Sequence, residues 1–371
     1  MRVLFVARYR DATMRRKLDY LAQEPDVELL CVLPSSYRDE LLDVHQAASH
    51  SGRYRLEALP MIGSSSDPHR ALYRTLRFYL PSFRPDIIHV EEEPDSLAAL
   101  QMALLRGVLA RRARLLLHTW QNIDRPRSWY VEWVKRTTLR AADAVFCANQ
   151  AAQRILQQHG FTRRTLVLPA VGVDTTVFRP CPPPAPGRPF TVGFVGRFVP
   201  EKGIATLLEA VRLLGAEPAA PGLRVRLIGA GPDAERLARL AEGLGIAAAV
   251  DFGAAQPPAE LSKYYCQLDA LVLPSRSTPV WEEQLGRVLL EAMACGVPVI
   301  GSDSGAIPEV IDTAGLIFPE GDAAALAGCI SRLLREPGLR DQCAAGGRQR
   351  VNEHYSQQVL AARTAAFYRQ E

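Results

Sequence analysis

Twice along this chain, short runs rich in Val, Ile and Leu alternate with longer segments of helical periodicity. That alternation admits few folds other than parallel sheets covered by helices on both faces. The first set of runs is residues 3–7, 29–33, 87–90, 115–118, 144–147 and 166–168, and the second is 191–195, 225–228, 250–252, 270–273, 297–300 and 316–318. An α/β chain with two doubly wound, Rossmann-like domains is therefore expected, and 371 residues exceed what one compact core usually holds. Between the sets lie Pro180, Pro182, Pro183, Pro184, Pro186 and Pro189, which can continue neither a helix nor a central strand. The reading is a first domain over 1–178, a proline-rich linker over 179–189, and a second domain over 190–355. A C-terminal helix over 356–371 is expected to cross back to the first. No internal repeat is visible beyond the βα alternation.

The opening apolar run, residues 3–7, is too short for a secretory core, and no later run reaches about 18 apolar residues. The expectation is a cytoplasmic protein, peripheral at most at the inner membrane face. Seven cysteines, odd in number, scattered and never spaced Cys-x-x-Cys, read as small core residues and not as a disulfide framework or a metal site. Residues 1–175 hold 25 Lys and Arg against 19 Asp and Glu, and the remainder holds 19 against 21. A basic first half favours an anionic acceptor or a membrane surface; no nucleic-acid-binding motif accompanies it, so nucleic acid is not an expected partner.

Ligands of open α/β sheets bind outside the carboxyl ends of the strands, so the residues after each run matter most. The stretch from Glu282 to Ile300 predicts a helix beginning near Gly286 and ending at Gly296 in a left-handed cap, followed through Pro298 by a buried strand. The start of that helix, with Gln284, Leu285, Gly286, Arg287 and Val288, offers amides and a positive dipole end to a diphosphate. Glu283 sits in the entering loop. Glu291 lies more than a turn inside, among apolar neighbours, where a carboxylate needs a partner such as the vicinal hydroxyls of a ribose. Earlier, the run 191–195 opens into Gly196-Arg197-Phe198-Val199-Pro200-Glu201-Lys202-Gly203, a glycine-bounded turn with a cation on each side.

Two glutamates with seven residues between them, followed by Ala292-Met293-Ala294-Cys295-Gly296-Val297-Pro298-Val299 and then Gly301-Ser302-Asp303-Ser304-Gly305, resemble the family-4 retaining glycosyltransferases of GT-B fold. The resemblance is strong from about residue 193 to 319 and weaker before. It implies two facing Rossmann-like domains, the second holding a nucleoside-diphosphate sugar. Glu283 would contact the donor sugar, Glu291 the ribose, and Arg197 with Lys202 the diphosphate. It also implies that Gly231 and Phe252 lie near the base, and that His118 touches the sugar near the reacting carbon from the rim of the cleft. No cofactor beyond the co-substrate is expected, and no divalent metal, because no Asp-x-Asp dyad or His/Cys cluster suits one.

One motif points elsewhere. Gly229-Ala230-Gly231-Pro232-Asp233-Ala234 follows a strand, and Asp251 lies about 20 residues on, as a dinucleotide fingerprint requires. The unit is the second of its domain, however, a proline follows the second glycine, and the preceding turn already supplies the cations. A dehydrogenase is thus the weaker reading.

On the acceptor side, residues 87–90 run into Glu91-Glu92-Glu93, read as carboxylates facing the cleft, with Glu91 and Glu92 as candidates for acceptor hydroxyls. Asn122 and Arg125 follow His118 in the next such loop. The first run opens into Arg8-Tyr9-Arg10, where many members of the resembled family carry two glycines; Arg8 and Arg10 would suit an anionic acceptor instead. Arg15, Arg16, Lys17, Arg106, Arg111, Arg112 and Arg114, with the aromatics Trp129, Tyr130 and Trp133, fit either a solvated rim or a membrane-facing surface that serves a lipid-linked acceptor. The expected activity is transfer of a hexosyl group to a hydroxyl with retention, with a non-hydrolysing sugar-nucleotide epimerase and a non-catalytic sugar-binding protein as the alternatives.

Overall fold

The computed structural model describes all residues except 10, 39–42, 52–53, 65–66, 68–69, 183–186, 216–221 and 371. The chain forms two compact units, one of Met1–Val171 with Gln357–Glu371 and one of Gly172–Ser356. Among the described residues no helix is long and apolar enough to cross a membrane.

The first unit runs β1 (Arg2–Val6), α1 (Arg16–Leu21), β2 (Glu28–Pro34), β3 (Ser36–Arg38), β4 (Asp43–His45), β5 (Ser49–Ser51), β6 (Tyr54–Leu59), β7 (Met61–Gly63), β8 (Ala71–Tyr73) and α2 (Tyr79–Phe83). It continues through β9 (Ile87–Val90), α3 (Leu97–Leu109), β10 (Arg114–Thr119), α4 (Trp129–Ala141), β11 (Ala144–Cys147), α5 (Gln150–Gln158) and β12 (Arg164–Val167). Its main sheet has the order β12-β11-β10-β9-β1-β2-β6-β5, parallel except for the last pair. Strand alternation sorts the apolar side chains. Leu4, Val6, Ile88, Val90, Leu115 and Leu117 face one way and pack with Ala98, Ala99 and Met102 of α3 and Leu156 of α5. Val3, Phe5, Ile87 and Leu116 face the other, against Leu18 and Leu21 of α1.

The second unit runs β13 (Thr191–Val195), α6 (Ile204–Leu214), β14 (Arg224–Ile228), α7 (Ala234–Gly243), β15 (Val250–Gly253), α8 (Pro258–Tyr265), β16 (Ala270–Leu273) and α9 (Arg287–Ala294). Then follow β17 (Val299–Ser302), α10 (Ile307–Ile311), β18 (Leu316–Phe318), α11 (Ala323–Arg335) and α12 (Pro337–Arg350). Its sheet, β15-β14-β13-β16-β17-β18, is wholly parallel. The last helix, α13 (Gln357–Arg369), returns to the first unit, where Leu360, Ala361, Ala365, Phe367 and Tyr368 complete the layer beside α1.

Two sequence readings change here. The proline-rich stretch is no connector between the units: the chain passes between them at 171–172 and 356–357, and the stretch belongs to the second unit. There the Cys181 amide donates to the Cys295 carbonyl at 2.9 Å, and Arg188 forks onto Asp269 at 2.8 and 2.9 Å. Residues 183–186 of it lie outside the described residues. The cysteines are also not all reduced core residues, since Cys181 and Cys266, 85 residues apart in sequence, form a disulfide. Scattered spacing carried no trace of a pair made by tertiary proximity.

Tyr368 shows why α13 is part of the first core. It is 1 % exposed, and its hydroxyl meets His89 Nδ1 at 2.6 Å. We expect Tyr368→Ala to destabilise the first unit by about 3–5 kcal/mol, as an aromatic deletion in a core does, and Tyr368→Phe by about 1–3 kcal/mol, the cost of one orphaned buried group. Urea unfolding measures both; equal costs would place the stabilisation in the hydrogen bond and not in packing.

Candidate active site

In the second sheet the winding reverses between β13 and β16, so the crevice for a ligand is expected beyond the ends of those two strands. Their exit loops are joined: the Arg276 amide donates to the Glu201 carbonyl at 2.8 Å. Gly203, at φ +64°, ends the short turn Pro200–Lys202, and a Cβ there would lie 1.9 Å from the Pro274 carbonyl oxygen. Only glycine permits that approach, and it delivers Lys202 to Glu283.

Glu283 is held from three loops. Lys202 Nζ lies 2.6 Å from its Oε2 and Ser275 Oγ donates to the same oxygen at 2.9 Å, while the Ala306 amide donates to its backbone carbonyl at 2.8 Å. The Lys202 ammonium also stands 4.8 Å from the centroid of the Trp281 ring. Gly305, at φ +54°, presses against Glu283, whose carbonyl oxygen would be 2.2 Å from a Cβ.

Gly286, at φ +71°, caps the start of α9. The helix then carries Arg287 and Glu291 one turn apart, 2.9 Å between Nε and Oε1, and Tyr265 donates to the other carboxylate oxygen at 2.8 Å. Burial and the neighbouring carboxylate push the Tyr265 phenol well above its usual pKa, so it is a permanent donor. Around this cap Gln284 is exposed, Leu285 and Val288 are half-buried, and Arg197 stands half-buried at the β13 exit. Sequence reasoning missed Ser275, Trp281 and Tyr265. The first two follow β16 and were open to the strand-end rule; nothing in the sequence singled out Tyr265.

The Gly-x-Gly motif is used inside the protein. A Cβ on Gly231 would lie 2.3 Å from the Phe198 carbonyl oxygen, Phe198 N–H donates to the Ala230 carbonyl at 2.8 Å, and Asp233 N–H donates to the Phe198 carbonyl at 3.0 Å. The glycines let two loops interlock, a role the dinucleotide reading gives to pyrophosphate. Phe252, 40 % exposed, lies edge-on to Phe198 at that edge.

The acceptor-side candidates are placed otherwise than expected. Glu91 is buried and takes an ion pair from Lys17 and a hydrogen bond from Tyr9; Glu92, also buried, is paired with Arg8 at 2.5 Å. Glu93 accepts from Thr119 Oγ1 at 2.8 Å and from the Trp120 amide at 2.6 Å. Glu91 and Glu92 neutralise Lys17 and Arg8, Glu93 accepts from two uncharged donors, and none of Glu91, Glu92 and Arg8 is set out for an acceptor. His118 is buried at 1 % exposure and not at a rim, with its ring 4.4 Å from that of Trp120 and 6.2 Å from that of Phe146. Arg10 lies outside the described residues; Asn122 and Arg125 are half-buried in the loop after β10. Among the described residues, His89, Glu91 and His118 bring ligand-type atoms within 4.8 Å of one another, but Lys17 already satisfies Glu91, and Tyr368 bonds His89.

Several basic residues read as a membrane rim are likewise engaged at home. Lys17 is buried, Arg16 pairs with Asp19 at 3.1 Å, Arg106 with Asp143 at 3.1 Å, and Arg114 donates to the carbonyls of Tyr368 and Gln370.

Comparison with known proteins places this geometry. The family profile "Glycosyl transferases group 1" matches residues 182–350, and "Glycosyl transferase 4-like domain" matches 14–172. The GDP-mannose-dependent alpha-(1-6)-phosphatidylinositol monomannoside mannosyltransferase of Mycolicibacterium smegmatis is 32% identical over 286 residues, 72% of this chain and 74% of that protein. The alpha-maltose-1-phosphate synthase of the same organism is 28% identical over 360 residues, 88% of this chain and 90% of its own. Anabaena HepE, in a crystal structure with UDP, superposes with a TM-score of 0.73 at 18% identity over 99% of both chains, a likeness of fold.

Burial, and secondarily the Lys17 charge, hold the pKa of His89 and His118 well below 6.5, so both are neutral when folded. On unfolding in acid they take up protons that the native state refuses. Their contribution is complete above about pH 6.5 and is lost as pH falls below it, at up to about 1.4 kcal/mol per pH unit for each. Urea midpoints between pH 7.5 and 5 should fall less steeply in His118→Phe than in the parent. An unchanged slope would mean that His118 binds protons alike in the native and unfolded states.

Proposed function

Because the chain belongs to the glycosyltransferases of group 1, with the GT-B fold, we propose that it is a retaining hexosyltransferase that uses a nucleoside-diphosphate sugar and no divalent ion. The observation that carries this reading is the buried Glu283, gripped by Lys202 and Ser275 where the second sheet reverses its winding, beside the start of the helix α9 that carries Glu291.

Each group has a task that suits its setting. The diphosphate lies between Arg197, Lys202 and the first amides of α9, where fixed positive charge meets the charge that grows on the leaving group. Phosphate competes for the Lys202 ammonium and so frees Glu283 to accept hydrogen bonds from the sugar. Glu291, oriented by Tyr265 and Arg287, accepts from ribose hydroxyls. Phe252 and the Gly231 turn border the base. The bond from the anomeric carbon to the diphosphate oxygen breaks, the acceptor oxygen bonds to that carbon on the same face, and the acceptor proton passes to the departing phosphate oxygen. Among the described residues we assign no carboxylate as a covalent nucleophile, since Glu283 is cast in binding the sugar, and this favours the course over double displacement. The acceptor hydroxyl belongs to a glycan, a lipid-linked sugar or a small molecule, with Asn122 and Arg125 of the first unit as its candidate contacts.

Thermal-shift measurements with UDP, GDP and ADP sugars identify the donor, since a ligand that binds only the folded state raises its apparent stability. With that donor, Glu291→Ala should weaken binding of the free nucleoside diphosphate roughly tenfold, the worth of one or two hydrogen bonds. Glu283→Gln should leave that affinity nearly unchanged and lower kcat on the order of a hundredfold. Calorimetry showing equal affinity losses would refute the division of roles.

Turnover should survive EDTA, and early-time proton NMR should find the donor's anomeric configuration in the product. Activity abolished by EDTA and restored by magnesium or manganese, or a β-linked product from an α-linked donor, would overturn the metal-free and the retaining parts respectively.

A further inference from the structure

We propose that Trp281 is a positioning residue, whose indole seats the Lys202 ammonium at the crevice while that charge passes from Glu283 to the donor's diphosphate. The proposal rests on the donor-site reading above. Trp281 ends a tight turn after β16. Pro279 takes the second place in residues 278–281, where its fixed φ favours a turn. The Thr278 amide donates to the Trp281 carbonyl at 2.8 Å, and the Trp281 amide donates to Thr278 Oγ1 at 2.9 Å. At the base of the turn the Ser277 amide donates to Glu320 at 2.6 Å, and Ser277 Oγ meets Ser304 Oγ at 3.0 Å. The turn is thus fastened to the loops after β17 and β18. It holds the half-buried indole with its centroid 4.8 Å from Lys202 Nζ.

The exchange of partners is what calls for such a seat. The side chains of Lys202 and Glu283 are 14% and 11% exposed, so little water is at hand to replace a lost partner. Among the described residues the ammonium has one hydrogen-bond acceptor, Glu283 Oε2 at 2.6 Å. When sugar hydroxyls take that carboxylate, an ammonium on a flexible four-carbon stem loses its counter-charge and is free to swing among rotamers. An aromatic face attracts the cation through the ring quadrupole and leaves its N–H donors to the phosphate oxygens. A second carboxylate in that place would compete with the phosphate, and an aliphatic side chain would leave the charge unheld. Lys202 stands on the exit of β13 and Trp281 on that of β16, so the pair also joins the two loops that border the reversal of strand order.

The test is calorimetry of UDP, GDP and ADP binding to the full chain, in a double-mutant cycle of Trp281→Leu and Lys202→Met. Trp281→Leu should weaken binding about fivefold, and Trp281→Phe, which keeps a ring face, about twofold. In the Lys202→Met background the leucine substitution should change affinity by less than about twofold, because the charge that the indole serves is gone. A ring that only packs the loop would cost the same in both backgrounds. Where Lys202→Met unfolds the chain, the order of affinities for Trp, Phe and Leu at position 281 decides alone. Equal losses in the two backgrounds, or Phe and Leu alike, overturn the proposal. So does a loss seen with the nucleotide sugar and not with the free diphosphate, which gives the ring to the sugar. If none of the three diphosphates binds the parent, the donor-site reading fails and this proposal with it; binding to the parent without coupling between Trp281 and Lys202 condemns the seat alone.

Discussion

The Glu283 carboxylate is the constraint around which the second unit's loops are built. A charge so covered needs partners from several directions; Lys202 and Ser275 supply them from the exits of β13 and β16, while the Ala306 amide beyond β17 holds the Glu283 backbone carbonyl. The glycines follow from that demand. Gly203 and Gly305 sit at positive φ with a backbone oxygen where a Cβ would stand, so each lets its loop close on the same point. The sheet contributes the reversal of strand order that gathers these exits.

How much of this the sequence could tell depended on the range of the interaction. The strands 87–90, 144–147, 191–195, 270–273 and 316–318 are found with the bounds expected of them, because continuous apolar runs in a parallel sheet are a local signal. The region from β3 to β8 was not legible. Its longest strand, Tyr54–Leu59, alternates polar and apolar and is only half-buried, and the others have three residues each. At the donor site the motif carried Glu283 and Glu291, but, Arg287 apart, the partners that hold them lie 8 to 81 residues away. Tyr265 in particular reads as an ordinary core aromatic until α8 and α9 are seen to bring it to Glu291.

The first unit shows the converse, residues whose type promised chemistry and whose burial assigns them to structure. Where two glycines were looked for after β1, Arg8 and Tyr9 stand with their side chains turned to Glu92 and Glu91. Of the three consecutive carboxylates after β9, Glu92 and Glu91 are therefore counter-charges for Arg8 and Lys17, and Glu93 accepts from the Thr119 hydroxyl and the Trp120 amide. A run of acids at a strand end is compatible with substrate binding and with internal neutralisation. Only the presence of cations at equal depth decides between them, and sequence cannot report depth.

Arginine poses the same problem on the surface. It is the chain's default cation, and its guanidinium fork binds carbonyl groups as readily as carboxylates. Arg106, Arg114 and Arg163 spend themselves on backbone carbonyls, so a tally of positive charge in the first half overstates what is offered outward. Arg136 and Arg140 differ because the helical period that sets Trp129 and Trp133 outward carries them to the same side, where Glu132, one turn before Arg136, is the helix's one carboxylate. A basic half becomes a basic surface only where the periodicity of a helix, and not the net charge, directs it.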